Sequence, residues 1–378
     1  MPNLLTNTLS RPHLRAQFAS LRAQGLRSRD AAARLHISEG EALLAHAVGP
    51  MNLKEEADSR YSVTVLDDDW VGLLRGLEGV GPVMALTRND HVVHEKIGTY
   101  RHVSAQGHVG LVLGPEIDLR LFLAHWHMGL HVVEHDPQQG DTQSLQFFDA
   151  WGRAVHKVHA RPHSDLQALE TLVQQHARPQ LTPVLRPLDD TAPRAQPRPD
   201  AQIDRQGLGE AWQAMQDTHE FFDLLRRFGA ERQQALRLME GTFTHRTPLV
   251  AVEWLLRRAA REGLPIMVFA GNAGCLQIHT GAIERIETMG PWLNVLDAGF
   301  NLHLRSDAIH ESWLVTKPTA DGEVTSIEVF DDRGDLICMF FGERKPGQPE
   351  LPAWRTLAHS LTQAPTPADR PAGHREAA

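Results

Sequence analysis

Cysteine is nearly absent from this chain: Cys275 and Cys338 are the only two among 378 residues. That excludes a disulfide framework and a multi-cysteine zinc site, and it fits a reducing compartment. Long apolar runs are missing as well. No stretch of about 18 apolar residues runs without charge, so no membrane span is expected. The opening "MPNLLTNTLSRPHLRAQF" has no apolar secretory core, and the expected location is the cytoplasm. Positive charge is in short supply, with a formal net charge of −9. A general electrostatic grip on nucleic acid or on an anionic membrane needs clustered positive potential, so neither partner is expected. Several catalytic signatures are also lacking: GxGxxG after a strand, a Walker loop, HExxH, GxSxG and CxxC. A hydrolase is disfavoured because no nucleophile and base stand at a recognisable spacing.

What is present is an ordinary globular composition, 42% apolar, with 22 histidines as its oddity. The length suits two domains or one domain built from two halves. "LRSRDAAARLHISEGEALL" reads as two short helices with Ser38 as N-cap and Glu41 three residues later. A helical cap packed on a sheet is the preferred reading; a helix-turn-helix binding a partner is the competing one. Strand-like runs follow from Ser62, among them "VMALTR" and "HVGLVLG", with a helix over "DDWVGLLRGLEG". Prolines 179, 183, 187, 193, 197 and 199 then mark a linker. The pattern restarts with "LGEAWQAMQDTHEFFDLLRRFG", read as one helix, and leads into strands again.

The halves resemble each other in register. "PVMALTRNDHVVHEKIG" aligns with "PIMVFAGNAGCLQIHTG" so that Pro82, Met84, Asn89 and Gly98 meet Pro265, Met267, Asn272 and Gly281, an offset of 183. "SLQFFDAWG" meets "SIEVFDDRG" at an offset of 182. This implies an internal duplication: an α+β fold of two tandem halves, each a large, mainly antiparallel sheet flanked by helices, with a ligand cleft between them. The expected boundaries are residues 1–178, a linker 179–205, residues 206–362 and a disordered tail 363–378.

Two histidine patterns stand out. "HWHMGLH" sets His125 and His127 at strand spacing, but without a carboxylate or cysteine nearby, and surface histidines explain it better than a metal site. In "MQDTHEFFDLL", a continuous helix would put Trp212, Met215, His219 and Phe222 on one apolar stripe. A lone histidine there is a core residue bonded to a carbonyl, or an imidazole kept neutral by burial as an axial ligand of haem iron. The position of the helix, just after the linker, favours the second. Asp118, Arg120 and Phe122 in "IDLRLF" alternate to one strand face, while Lys317 and Arg344 offer cations that two propionates would need.

The blocks "RNDHVVHEKIGTY", "IDLRLF", "SLQFFDAWGRAVHKV", "MQDTHEFFDLL", "GNAGCLQIHTG", "GPWLNVLDAGFNLHLR" and "FFGERKPGQPE", in this order, resemble the HemS/HmuS/ChuS family of bacterial haemin-degrading or haem-carrier proteins. The resemblance runs from about residue 25 to 360 and implies the duplicated fold described above. It further implies His219 as proximal ligand of a haem b iron, Arg120 as the distal cation, Phe122 and Phe269 as pocket aromatics, and Lys317 and Arg344 as basic positions near the polar edge. His94 and His303 are alternative ligands. Cys338 and Met339 depart from the pattern and put one hydrogen-bonding contact in doubt. The implied function is cytoplasmic haem handling for iron acquisition: either oxidative degradation with an electron donor, or carriage of haem from an ABC importer to a separate haem oxygenase, by a monomer or homodimer.

Overall fold

In the computed structural model, residues 11–47, 60–188 except 137 and 139, and 196–363 except 346 are described. The expected tail lies almost wholly outside them. In chain order the first half runs α1 (Arg11–Ala23), α2 (Ser28–Arg34), α3 (Glu39–Leu44), β1 (Tyr61–Leu66), α4 (Trp70–Val80), β2 (Val83–Arg88), β3 (Val92–Gly98), β4 (Ser104–Gln106), β5 (Val109–Leu113), β6 (Asp118–Phe122), β7 (Met128–Glu134), β8 (Thr142–Phe148), β9 (Ala154–Ala160) and α5 (Leu166–His176). The second half repeats the order: α6 (Arg205–Gln213), α7 (Glu220–Phe228), α8 (Arg232–Leu238), β10 (Thr244–Thr247), α9 (Ala251–Glu262), β11 (Ile266–Gly271), β12 (Cys275–Gly281), β13 (Ile286–Met289), β14 (Trp292–Leu296), β15 (Phe300–Arg305), β16 (Glu311–Thr319), β17 (Gly322–Phe330), β18 (Leu336–Gly342) and α10 (Pro352–Ser360).

The chain divides into two compact units, and each takes a short piece from the opposite half of the sequence. Residues 89–94 cluster with the second unit, residues 272–276 with the first. The first unit contains the antiparallel run β1-β7-β8-β9-β2 and the meander β4-β5-β6. The second contains β10-β16-β17-β18-β11 and β13-β14-β15. The fold is therefore mixed α+β with large antiparallel sheets flanked by helices, as the repeat implies.

Both faces of each run are covered, and the strand residues divide accordingly. In β16, Trp313 and Val315 join the core under α6, α7 and α8, while Leu314 between them joins the core under α9 and α10. The period of two assigns successive side chains to opposite faces. Phe147 and Phe148 make the same split in the first unit, between the α4/α5 core and the α1–α3 core. The helices form for local reasons too. Asp69 accepts the Gly72 N–H at 2.9 Å to start α4, whose Leu73, Leu74 and Leu77 are buried. Ser38 caps α3 by accepting the Glu41 N–H at 3.1 Å, as expected, and α1–α3 pack as a cap on β1 and β7.

Candidate functional site

The α7 helix sits where the sequence suggested a ligand, but it is built differently from the expected single helix. Residues 205–213 and 220–228 are separate helices, and the turn between them resets the phase of the apolar stripe. Trp212 and Met215 remain buried, and the stripe resumes at Phe221, Leu224 and Leu225 rather than at Phe222. His219 becomes the N-cap of α7, and its side chain is 89% exposed. The imidazole is therefore on the surface, which corrects the buried-stripe expectation. Phe222, one turn on, is 70% exposed beside it.

What restrains His219 is Asp217. Its Oδ1 accepts the His219 backbone N–H at 2.8 Å and bonds Nδ1 at 2.6 Å. The Asp217 carboxyl is held below its usual range by that backbone N–H first, then by the His219 ring and by Arg344. The turn itself is tied down: the Ala320 N–H donates to the Gln216 carbonyl at 2.9 Å. Arg344 reaches Asp321, next along the same β16–β17 hairpin, at 3.5 Å, and the Gly347 N–H donates to that carboxylate at 3.0 Å. His219 and Arg344, predicted separately from the sequence, thus share one loop cluster through Asp217.

The other predicted residues vary. Lys317 does not offer its charge to a ligand: only 3% exposed, it meets Glu328 at 2.7 Å, and Glu328 also takes the Arg232 guanidinium at 2.7 and 2.8 Å. Burial pushes the Lys317 ammonium down to about 8 against the pull of Glu328. Although burial opposes its ionisation, Glu328 is held well below the carboxylate range by Arg232 and Lys317. The Lys317 Nζ lies 4.6 Å from the centroid of Phe221, and the Arg232 guanidinium 5.1 Å, so these cations carry α7 from below. Phe269 is half-buried, edge-to-face with Phe341 at 4.9 Å. Cys338 is buried, and Met339 turns its Sδ to Arg232 at 3.3 Å.

In the first unit, Asp118, Arg120 and Phe122 do share one face of β6. Arg120 is ion-paired with Asp118, and Phe122 is exposed at the end of the strand. His94 is wholly buried in β3, 4.9 Å from the Phe300 ring, while half-buried His303 bonds Asn294 Oδ1 through Nδ1 at 2.7 Å. His125 and His127 lie in a 3-10 turn and the loop after it, not on a strand, and His127 bonds the Val184 carbonyl at 2.9 Å. No cluster of metal-binding side chains occurs among the described residues. Sequence reasoning missed Asp217, Glu328 and Arg232. Asp217 had a visible signal, an Asp two residues before the histidine at a turn; Glu328 had none, because a Glu between Ile327 and Val329 reads as the solvent side of an alternating strand.

Comparison with known proteins supplies the remaining facts. A family model described as "Haemin-degrading HemS.ChuX domain" matches residues 50–176 and again 229–361, one match per half. The hemin transport protein HmuS of Yersinia pestis is 38% identical over 348 residues, 90% of this chain and 94% of that protein. Holo-PhuS, described as a heme-binding protein from Pseudomonas aeruginosa, superposes with a TM-score of 0.86 at 44% identity, covering 93% of this chain and 99% of that one. The heme degrading enzyme ChuS of Escherichia coli O157:H7 gives a TM-score of 0.82 at 34% identity, over 93% and 99% of the two chains. With two copies of the domain in matching positions and relatives alike over nearly their whole length, this chain belongs to the haemin-degrading HemS.ChuX family.

Proposed function

We propose that this chain binds haem in the uptake and use of haem as an iron source, with His219 as axial ligand of the iron. The observation that carries the reading is the His219 imidazole. Its Nδ1–H donates to the Asp217 carboxylate, which leaves Nε2 as the ring nitrogen open to a metal, on a ring 89% exposed. A metal-ligating imidazole is usually oriented through its other nitrogen, by a carboxylate, a backbone carbonyl or a water, and here the partner is a carboxylate. The relatives alike over most of the chain are named for hemin transport, heme binding and heme degradation, which supports the same ligand.

Within this reading Arg120 supplies the distal cation, Phe122 and Phe269 aromatic surface for the macrocycle, and Arg344 a cation for a propionate. Lys317 drops out of that list because its charge is engaged with Glu328. His94, buried, and His303, bonded to Asn294, are poorer ligands than His219. When bound, haem itself brings the redox chemistry of its iron and ring; the protein contributes binding, orientation and charge. Degradation needs an electron donor, whereas carriage needs a supplier and an acceptor: an importer at the cytoplasmic face and a separate haem oxygenase. No described helix is long and apolar enough to cross a membrane. Incubating the haem complex with a reductant and catalase separates the two: a ring-opened product with free iron indicates an enzyme, an intact Soret band a carrier.

The ligand assignment is tested by titrating haemin into the protein and into His219→Ala. The variant is expected to lose the Soret maximum of the histidine-ligated complex and to bind haemin far more weakly. An unchanged band and affinity would overturn the assignment.

A further inference from the structure

We infer that Asp217 is a positioning residue for the iron ligand: its carboxylate fixes the tautomer and the ring orientation of His219 and makes Nε2 a stronger donor. The inference rests on the reading of His219 as the axial ligand. Three observations carry it. First, His219 has almost no packing to orient it, being 89% exposed at the start of α7, and the hydrogen bond to Asp217 is the restraint the structure gives its ring. An imidazole free to turn about its side-chain bonds must be ordered when it binds iron, and that entropy cost is largely removed when a carboxylate holds the ring beforehand.

Second, one oxygen serves two purposes. Asp217 Oδ1 accepts the His219 backbone N–H at 2.8 Å as well as Nδ1 at 2.6 Å. The backbone bond fixes the main chain of His219 while the side-chain bond fixes the ring, so the direction of Nε2 is set relative to α7 rather than to solvent. Third, the turn that carries Asp217 is itself anchored. Gln216 is bonded through its carbonyl to the Ala320 N–H at 2.9 Å, and its N–H reaches Glu220 Oε2 at 3.4 Å. Below the turn, Phe221 rests on Lys317 and Arg232. A carboxylate on a mobile loop would orient nothing; this one is attached to a strand hairpin on one side and to a seated helix on the other.

The alternative is that Asp217 only starts the helix, since an Asp side chain accepting the N–H two residues on is a common turn device. The test separates the two roles. Asp217→Ser keeps a short side-chain acceptor for the backbone N–H and loses the carboxylate; Asp217→Glu keeps a carboxylate on a longer arm; His219→Ala stands beside them. Haemin affinity and the iron–histidine stretching band of the ferrous complex in resonance Raman are read, with the urea midpoint of the haem-free protein as a control for folding. Asp217→Ser is expected to weaken haemin binding by about 10–100-fold and to move the iron–histidine band to lower frequency, at an unchanged urea midpoint, and Asp217→Glu to recover part of both. If His219→Ala abolishes the band while Asp217→Ser leaves band and affinity as in the parent, Asp217 is only a helix cap and the inference fails with the ligand reading intact. If His219→Ala leaves the band in place, the ligand reading itself fails.

Discussion

His46 and His156 fold in their neutral form. Burial pushes His46 down to about 4, helped by Arg15 and Arg11, and pushes His156 down to about 3, helped by His159. His156 is held on both nitrogens, by Thr87 Oγ1 at 2.8 Å and by the Tyr100 hydroxyl at 2.6 Å, so a further proton requires the hydroxyl that donates to the ring to turn and accept instead. Because both folded values lie below the unfolded value near 6.5, the unfolded chain takes up protons first on acidification. The stability these residues confer is complete above that pH and is lost as pH falls through it toward 4 and below. Each tenfold weakening of proton affinity on folding corresponds to about 1.4 kcal/mol, so the loss amounts to a few kcal/mol for each of the two residues. The urea midpoint measured over this window should fall steadily with acid, and His156→Asn should make that slope shallower; a parent slope that stays flat would refute the assignment.

Seated helices matter as much as single side chains. The segment from α6 to α7 is amphipathic in a way the sequence half reveals: Trp212 and Met215 point inward as expected, but an Asp-Thr turn separates the two helices, and the stripe resumes in α7 one residue early. A periodicity count takes no account of a side chain that captures its own backbone, which is why His219 read as buried and Asp217 was overlooked. The ionic seat beneath the helix was illegible for a different reason. Glu328 lies in a strand buried on both faces, although its alternation with Ile327 and Val329 reads as a solvent-facing position, and its partners Lys317 and Arg232 come from 11 and 96 residues away. Glu328→Ala leaves two cations buried together without their anion. We expect a loss of about 3–5 kcal/mol in urea unfolding, accompanied by faster hydrogen exchange in α7; a loss below 1 kcal/mol, about the value of an exposed pair, would show that water reaches the triad.

The duplication was the most legible feature, because identical turns leave identical letters. Asn89 and Asn272 explain why. Asn89 donates to the carbonyls of Gly271 and Ile337 and accepts the N–H groups of His91 and Val92. Asn272 donates to the carbonyls of Arg88 and Val155 and accepts from Gly274 and Cys275, the same four bonds at equivalent places. Asn89→Ala and Asn272→Ala should therefore each cost about 2–4 kcal/mol, at roughly 1 kcal/mol per net bond, and the two thermal shifts should match; a large asymmetry would mean the turns are no longer equivalent. Charge did not follow the repeat so closely. Glu39, first residue of α3, meets Lys157 and Arg88 at 2.6 Å each, whereas Arg232, first residue of α8, meets Glu328. Both halves place an ion pair at the first residue of the third helix, with the sign reversed and the partner on a different strand, since Lys157 lies in β9 and Glu328 in β17, the counterpart of β8.

The two short segments that cluster with the opposite unit bear on how such a chain can be cut or can have arisen. Gly274 accepts the Trp126 indole N–H and the Phe122 N–H at 2.9 Å, and Cys275 lies 3.3 Å from Thr87 Oγ1, all inside the first unit. A gene divided between Ala192 and Pro193, where the two units part, would encode a first fragment deprived of those groups and a second deprived of residues 89–94. Such fragments should complement each other when co-expressed and be less stable when made alone. A single-copy ancestor with the same turn would have found its missing segment only in a sister molecule, as a domain-swapped dimer does. Tandem fusion would turn such an encounter between two molecules into an event within one, at an effective concentration set by the linker rather than by expression.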